Sequence, residues 1–209
     1  MLWREADMAS FEYLRILVEE IHSTVVATMD ADGKPVTRVI DMMLYDDRGL
    51  YFLTAKGKSF YEQLMTQKYI SLSSIKDKRS ISLKGRIQNI GREKLDEIFE
   101  KNAYMQKIYP EGTREALEVF LLYEATGEFF DISNPEHIKR GSITIGNPVE
   151  ENYGYRIGKE CVGCKQCYSV CPQKCIDITK IPVEIKQSHC LHCGRCAEVC
   201  PKQNIKKVG

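Results

Sequence analysis

The first 160 residues contain no cysteine, although the chain of 209 residues contains nine. Long apolar runs are also missing: none approaches the roughly 20 residues that a membrane-spanning helix needs, so we expect no membrane segment. Neither sign of charge is in excess, because 30 lysines and arginines balance 29 aspartates and glutamates. This balance argues against a general nucleic-acid binder. The first residues, Met1–Asp7, are not typical of a secretory signal, so we expect a cytoplasmic protein.

The charges divide the chain into two regions of different composition. Residues 151–209 hold 10 basic and 5 acidic side chains, whereas residues 1–150 hold 20 and 24. Between these regions the segment 146–154 is rich in turn-forming residues and poor in apolar ones, as expected of a linker. We therefore predict two domains, residues 1–147 and residues 148–209.

The C-terminal domain contains an internal repeat of cysteines. Each copy reads C-x2-C-x2-C-x3-C-P, and the copies begin at Cys161 and at Cys190, 29 residues apart. Three cysteines separated by two residues can wrap around one face of a 4Fe–4S cube, and the fourth then points towards a second cube. A zinc ribbon pairs two C-x2-C knuckles instead, and a disulfide framework needs an oxidising compartment. The spacing therefore favours two 4Fe–4S clusters.

This repeat resembles the bacterial two-cluster ferredoxin family over residues 155–205. The resemblance implies a small α+β domain in which each cluster takes three ligands from one copy and one from the other. It assigns the first cluster to Cys161, Cys164, Cys167 and Cys200, and the second cluster to Cys171, Cys190, Cys193 and Cys196. The ninth cysteine, Cys175, is interpreted as a small buried apolar residue rather than a ligand or a redox switch.

The N-terminal domain alternates periodic apolar segments with frequent turn signals. Apolar residues at helical spacing predict helices over residues 10–22, 59–67 and 91–101. Alternating apolar residues bounded by turn formers predict strands over residues 23–29, 36–45, 50–54, 69–75, 80–90, 119–123 and 128–132. For residues 117–121 a helical extension is the alternative. Short strands punctuated by hairpins predict a mainly β domain, an antiparallel barrel with flanking helices.

A candidate anion site follows the third predicted strand. The sequence Phe52-Leu-Thr54-Ala-Lys56-Gly-Lys58-Ser59 ends a strand, turns at a glycine and begins a helix. Unpaired N–H groups at the start of a helix favour an anion. Thr54 and Ser59 add hydroxyl groups, and Lys56 and Lys58 add positive charge. The segment is not a Walker A loop, because Phe52 stands where its first glycine would be. The alternative is a solvated basic turn.

The order of these segments resembles the pyridoxamine 5′-phosphate oxidase-like FMN-binding split barrel over residues 10–145. The resemblance rests on the helix, on Val25–Met29 with its Asp-Gly turn, on Pro35–Asp41, on Gly49–Thr54 and on the following Lys-Ser pair. It implies an antiparallel Greek-key split barrel, bound FMN, and a homodimer with the flavin site at its interface.

The resemblance also implies roles for individual residues. The strand Arg38, Val39, Ile40 and Asp41 would run under the flavin ring, and Thr54, Lys58 and Ser59 would hold the phosphate. The arginine- and tryptophan-rich C-terminal segment of true pyridoxamine phosphate oxidases is missing, since Trp3 is the single tryptophan. Vitamin B6 oxidation is therefore disfavoured. Related barrels bind haem or a deazaflavin, but we interpret His22 and His137 as surface or cap residues, which disfavours haem.

These features predict an oxidoreductase in which two 4Fe–4S clusters exchange electrons with FMN. Clusters carry single electrons, whereas flavin handles one or two. The expected partner is a redox protein or a small-molecule electron acceptor. The alternatives are a pure electron carrier without a substrate of its own, and a redox sensor. No general acid or base is evident in the sequence.

Overall fold

The computed structural model describes residues 5–148 and 153–209. The chain divides into two compact units, Met1–Pro148 and Val149–Gly209. Within the described residues, no helix combines the length and the apolar character that crossing a membrane requires.

The described part of the first unit contains eight strands and four α-helices. The strands are β1 (Ser23–Met29), β2 (Pro35–Asp41), β3 (Leu44–Asp46), β4 (Gly49–Ala55), β5 (Tyr69–Lys76), β6 (Arg79–Asn89), β7 (Leu117–Asp131) and β8 (Lys139–Ile145). The helices are α1 (Glu5–Arg15), which continues as a π-helical turn (Ile16–Ile21), α2 (Ser59–Gln67), α3 (Leu95–Lys101) and α4 (Ala103–Ile108).

The eight strands form one antiparallel sheet whose two ends meet. The strand order is β2-β1-β5-β6-β7-β4-β3, with β8 beside β7. The end strands β2 and β3 are joined by Met42 and Met43 alone, so the sheet must curl into a barrel. The Met42 N–H donates to the His22 carbonyl (2.9 Å) and the Met43 N–H donates to the Tyr51 carbonyl (2.8 Å). The predicted strand 36–45 is therefore two strands, because the chain changes its pairing partner at these methionines.

Strand β7 is one strand of 15 residues, where the sequence predicted two. Its polar middle carries Gly127, which faces β6 so closely that a β-carbon would lie 2.0 Å from the Ser82 carbonyl oxygen. The glycine therefore permits close strand contact and does not mark a turn. The helical alternative for residues 117–121 is wrong, since these residues pair with β4.

The core of the first unit lies on both faces of β4. Successive side chains of a strand point to opposite faces, and Leu50 and Phe52 join one apolar cluster while Tyr51 and Leu53 join the other. On the first face Phe52 stacks on Phe120, with ring centroids 5.6 Å apart. Helix α3 packs on the second face. Because β4 is buried on both faces, the segment between its end at Ala55 and the start of α2 at Ser59 is held against the core.

The second unit contains two small two-stranded sheets and two short helices. The elements are β9 (Gly154–Ile157), α5 (Gln166–Val170), β10 (Ile176–Asp177), β11 (Glu184–Ile185), a 3₁₀ turn (Gln187–His189), α6 (Arg195–Glu198) and β12 (Ile205–Val208). Strand β9 pairs with β12, and β10 pairs with β11.

The cysteine repeat of the second unit is also a repeat of the backbone. Residues 29 positions apart share left-handed conformations, whatever their side chains: Gly163 and His192 (φ +67° and +51°), Lys165 and Gly194 (+61° and +80°), and Lys174 and Gln203 (both +49°). Glycine adopts this conformation without penalty, whereas other residues do so at a cost. The two copies therefore fold alike although the glycines do not correspond.

Candidate cofactor sites

The second unit gathers the cysteines into two separate pockets. One pocket is lined by Cys161, Cys164, Cys167 and Cys200. The other is lined by Cys171, Cys175, Cys190, Cys193 and Cys196. The structure thus brings together each set of four that the ferredoxin resemblance implied, including the exchange of the fourth cysteine between the copies. Cys175 also lines the second pocket.

The helices of the second unit bury one thiol of each pocket. Cys167 lies in α5 and Cys196 in α6, and both are buried. Burial disfavours a thiolate, so it raises the pKa of Cys167 and raises the pKa of Cys196 to about 11. Iron would oppose this effect, because a coordinated thiol is deprotonated.

Backbone N–H groups point at sulfur atoms in both pockets. The His192 N–H lies 3.3 Å from Cys190 Sγ, and the Asn204 N–H lies 3.5 Å from Cys200 Sγ. Hydrogen bonds to the sulfurs, together with burial, are what tune iron–sulfur clusters. Four thiols, apolar walls and N–H donors form a donor set that fits a 4Fe–4S cluster in each pocket.

Cys175 is the ninth cysteine and lies against a predicted ligand. It is buried, and its Sγ is 3.6 Å from Cys171 Sγ. Burial, followed by the contact with Cys171, raises the pKa of Cys175 to about 12. It is therefore a neutral thiol that borders the second pocket.

In the first unit, the predicted anion site lies where β4 passes into α2. Gly57 makes the turn with φ +82°, and Lys58 precedes the helix in an extended conformation. Within the described residues no side chain caps the first N–H groups of α2, so these groups remain available to a ligand. Lys58 and Ser59 are exposed, whereas Thr54 is buried.

Lys56 is engaged elsewhere. Its Nζ is 2.6 Å from Glu118 Oε1 on β7. The same carboxylate accepts hydrogen bonds from the Tyr61 hydroxyl (2.6 Å) and Asn89 Nδ2 (2.7 Å). Together Lys56, Tyr61 and Asn89 hold the pKa of Glu118 at about 2. The positive charge of Lys56 is thus largely neutralised by a carboxylate that the sequence did not connect with it.

Arg38 lies against α2, and the side chains that accept its hydrogen bonds are uncharged. Its Nη1 donates to Thr28 Oγ1 (2.8 Å) and Gln63 Oε1 (2.9 Å), and its guanidinium sits 4.3 Å above the Phe60 ring. Burial lowers the pKa of Arg38. In residues 5–148 and 153–209 it forms no salt bridge with Asp or Glu. A half-buried cation beside a helix start is suited to an anion.

The sequence did not single out the three residues that hold Arg38. Thr28 is on β1, and Phe60 and Gln63 are in the first two turns of α2. Phe60 and Gln63 lie one and four residues after Ser59. Their closeness in sequence to the predicted anion site could have identified them. Thr28 comes close only through the hairpin register, in which it faces Val36.

The remaining residues of the predicted ring-binding strand have different neighbours. Val39 is 67% exposed, and Ile40 packs against the core. Asp41 accepts hydrogen bonds from the Ser23 hydroxyl (2.6 Å) and from the Tyr104 hydroxyl (2.9 Å). The strand therefore connects two polar neighbourhoods, one around Arg38 and one around Asp41.

The model of the pyridoxamine 5′-phosphate oxidase family matches residues 12–127, more than half of the chain. This chain belongs to that family. A second family model, a 4Fe–4S dicluster domain, matches residues 160–204. Both resemblances that the sequence suggested are thereby confirmed: a pyridoxamine 5′-phosphate oxidase-like domain is followed by a dicluster ferredoxin-type domain.

Two curated relatives each match a short part of this chain. The chain is 45% identical over 47 residues to the pyridoxine/pyridoxamine 5′-phosphate oxidase of Yersinia enterocolitica, covering 22% of each. It is 26% identical over 83 residues to the oxidase of the same name from Pseudomonas putida, covering 39% of each. The chain therefore spans less than half the length of these curated relatives.

Solved structures share the fold at low sequence identity. A NimC/NimA family protein from Clostridium acetobutylicum has a TM-score of 0.53 and 18% identity, covering 65% of this chain and 94% of that one. A protein from the same organism related to general stress protein 26 of B. subtilis, of the pyridoxinephosphate oxidase family, has a TM-score of 0.51 and 19% identity, covering 66% and 96%. The predicted fold class, a mainly antiparallel β domain followed by a small ferredoxin-type domain, is confirmed.

Proposed function

We propose that this chain is an oxidoreductase in which two 4Fe–4S clusters exchange electrons with FMN. The electrons then pass to a small-molecule substrate or to a redox partner protein. The observation that carries the proposal is the division of eight motif cysteines between two pockets, in a chain whose other unit belongs to the pyridoxamine 5′-phosphate oxidase family. A dicluster domain transfers single electrons, so a partner that donates or accepts electrons is required.

The proposed cluster ligands follow from the pockets. Cys161, Cys164, Cys167 and Cys200 would hold one cluster, and Cys171, Cys190, Cys193 and Cys196 the other. Both sets contain exposed and buried thiols. The location we propose is the cytoplasm, because these cysteines must stay reduced to bind clusters.

The proposed FMN site combines Arg38 with the start of α2. The N–H groups of α2, with Lys58, Ser59 and Thr54, would hold the phosphate, and Arg38 would supply the uncompensated charge. The strand Val39–Asp41 would lie along the ring. When bound, FMN supplies two-electron chemistry that iron–sulfur clusters lack. The role of the chain is to bind and orient it, and Lys56 contributes less than the sequence suggested because Glu118 neutralises it.

A homodimer is part of the proposal. Strands β1, β2 and β5 expose a row of apolar side chains, namely Val25, Met29, Val39, Tyr69 and Ile75, each at least 42% exposed. Val25 lies opposite Val39 in the sheet, so these two exposed side chains are neighbours. Exposed apolar patches of this kind mark interfaces, and a second copy of the chain is the occupant we propose. We propose no nucleic-acid or membrane partner.

The decisive experiment is anaerobic purification followed by quantitation of iron, acid-labile sulfide and flavin. We expect about eight irons and eight sulfides per chain from two 4Fe–4S clusters, and about one FMN released on denaturation. Absence of flavin, with none taken up from added FMN, would overturn the flavin half. About one zinc per chain without sulfide would overturn the cluster half. Light scattering gives the molar mass of the unchanged chain and of Val39→Glu. We expect a dimer for the unchanged chain and a monomer for the variant, and a monomeric unchanged chain would overturn the homodimer.

A further inference from the structure

The two pockets of the second unit differ in the charge of their rims. Lys165 and Lys202 line the first pocket, the one that contains Cys164. Their counterparts 29 positions away in the repeat are Gly194 and Gln173, which line the second pocket and carry no charge. Both lysines are exposed and, within the described residues, neither forms a salt bridge. The repeated backbone does not require these two cations, since the other copy folds without them.

The backbone of Lys165 favours a different residue. Its conformation is left-handed, with φ +61°, and it directly follows the exposed thiol of Cys164. Gly194 occupies the matching position of the other copy without strain, whereas a residue with a β-carbon adopts this conformation at a cost. Strained backbone of this kind is concentrated at functional sites. The lysine is therefore explained by its side chain and not by its backbone.

Two further cations lie on the wall of the first pocket. Ile157 on β9 and Ile205 on β12 line the pocket. Their neighbours Arg156 and Lys206 point to the outer face of the same two strands, because successive side chains of a strand alternate. Arg156 and Lys206 are paired directly opposite each other, and both are exposed. Like charges in this position destabilise a sheet, so the pair adds positive charge beside the pocket without stabilising the fold.

Exposed apolar side chains adjoin the same pocket. Val162 lines it and is 56% exposed. The next residue, Gly163, lies against Ile181, which is 66% exposed, and a β-carbon at position 163 would be 2.5 Å from Ile181 Cδ1. Protein interfaces combine an apolar centre with a polar rim. We define the basic face as the cations Arg156, Lys165, Lys202 and Lys206 together with the apolar Val162 and Ile181.

The charge of a bound cluster does not explain the basic face. A 4Fe–4S cluster with four thiolates has the same charge in either pocket, yet the second pocket is lined by a single cation, Arg195. No acidic residue of the described second unit lines either pocket. Positive charge around the exposed Cys164 thiol is instead suited to a partner that presents acidic side chains around its own redox centre.

We propose that the basic face is the docking surface for an acidic electron-transfer protein, and that electrons pass between this chain and that partner at the first pocket. The inference rests on the proposed function, because it requires the cysteines of the first pocket to hold a cluster. Each encounter moves one electron: the donor is oxidised and the acceptor is reduced by one electron, and no bond forms or breaks. Electron-transfer encounters need only small interfaces, and complementary charge accelerates them.

The first test maps the contact and needs no turnover. The probe is oxidised plastocyanin, an acidic copper protein, and a carbodiimide joins lysine amines to carboxylates where the two proteins touch. Mass spectrometry of the anaerobically purified chain, treated with and without the probe, identifies the linked lysines. We expect Lys165, Lys202 and Lys206 to be linked to the probe in preference to Lys186, an exposed lysine that lines neither pocket.

Two results of the cross-linking would overturn the proposal. One is the absence of links, or links to the probe without preference for the basic face. The other is a set of links, formed without the probe, from the basic face to carboxylates of residues 1–148. That set would show that the acidic first unit occupies this surface.

The second test follows electron transfer to the same probe. The chain is reduced with dithionite under anaerobic conditions, the dithionite is removed by gel filtration, and loss of the blue copper colour gives the rate. Electrostatic steering raises association rates by about 10–10³-fold and weakens with salt, so we expect the double variant Lys165→Gln, Lys202→Gln to react about tenfold more slowly at low salt and to depend less on salt. The double variant Lys186→Gln, Arg195→Gln is the matched control, because it removes two cations outside the basic face and should react as the unchanged chain.

A basic acceptor, cytochrome c, shows whether the variant still transfers electrons. It should react faster with the double variant Lys165→Gln, Lys202→Gln than with the unchanged chain, because two repelling charges are gone. Slower reaction with both acceptors would mean that the substitutions damage electron transfer itself, and would overturn the docking role.

The outcomes separate the inference from the proposed function. If the purified protein holds no iron and sulfide, or if dithionite fails to reduce it, the proposed function fails, and the cross-links still test whether an acidic protein docks on the basic face. If the chain is reduced and the first double variant reacts with plastocyanin at the unchanged rate and salt dependence, the docking proposal is overturned and the proposed function stands.

Discussion

The two units of this chain fill their interiors with different chemistry. The first buries large apolar side chains such as Tyr51, Phe52 and Phe120. The buried cluster of the second unit consists of Cys167, Cys171, Cys175, Cys196, Ile176, Val183, Ile185 and Ile205. Half of these are cysteines, which contribute little apolar area. A unit of this size is marginal without a metal or disulfides, so its stability depends on what its thiols bind.

The hydrogen-bonded ladders differ in the same way. Strand β7 alone has 15 residues and pairs with three neighbours, whereas β10 and β11 have two residues each. Isolated short hairpins are marginally stable in water. The comparison therefore teaches that the first unit is stabilised by its own side chains and the second by its cofactors. The following experiments test this difference.

Removal of iron should have the largest effect. We expect chelation under reducing conditions to abolish amide protection throughout residues 153–209 and to leave it in β4, β6 and β7, because metal binding and folding are coupled in small metallo-domains. Hydrogen exchange measured by mass spectrometry separates the two units. Retained protection in the iron-free second unit would contradict the comparison.

A cavity in the barrel should destabilise the first unit and leave the second unit intact. Phe52 is fully buried, and Phe52→Ala should reduce the free energy of unfolding of the first unit by roughly 3–5 kcal/mol. Urea unfolding followed by circular dichroism measures this change, and cluster absorbance should persist. Ile108→Ala is the control, because that side chain is 58% exposed. Equal effects of both substitutions would show that the barrel core is not what we describe.

Loss of the Arg38 charge should weaken flavin binding specifically. Arg38 and Arg140 both lie over phenylalanine rings, at 4.3 Å and 4.6 Å. Hydrogen bonds to charged groups contribute about 1.5–3 kcal/mol, so Arg38→Gln should weaken FMN binding on the order of tenfold to a hundredfold. Arg140→Gln should leave the affinity unchanged. Fluorescence titration with FMN gives both values, and similar losses in both variants would remove Arg38 from the proposed site.

The smallest effect concerns acid stability of the first unit. The pKa of Glu118 lies at about 2, below its ordinary value of 4.5. A lowered pKa stabilises the folded state above pH 4.5, and this stabilisation is lost as the pH falls towards 2. Because Lys56 is about half exposed, we expect a contribution of only about 1–2 kcal/mol. Urea midpoints between about pH 5 and pH 3 should fall more steeply for the unchanged chain than for Glu118→Gln; parallel slopes would contradict the ion pair.

Local sequence patterns predicted the hairpins and the helix after β4. Residues 23–29 and 59–67 form the strand and the helix that the sequence predicted. The prediction was wrong at the start of α3 and at β8. Helix α3 begins at Leu95 rather than at residue 91, because Gly91 and Lys94 adopt positive φ before it. Strand β8 was not predicted, because its own apolar pattern is short.

The candidate sites show the same limit. The resemblance to two-cluster ferredoxins predicted the two sets of thiols that the two pockets bring together, because a cluster motif is local in sequence. The hydrogen bond between His22 and Tyr104 could not be predicted, since these residues are 82 positions apart and meet only in the folded structure. His22 was interpreted as a surface or cap residue, which is correct for its backbone position at the end of a helix. Its side-chain partners are a property of the tertiary structure.

The matched backbone of the cysteine repeat has a consequence for design. Lys165 and His192 adopt left-handed conformations, and at the corresponding positions the other copy has a glycine. A β-carbon in this conformation costs roughly 1–2 kcal/mol. Each copy is thus a template for relieving strain in the other. Copying Gly194 to position 165 and Gly163 to position 192 would bring the two loops closer to a symmetric tandem duplicate. Any functional difference between the two pockets would then reside in side chains such as Cys175 and its counterpart Asn204.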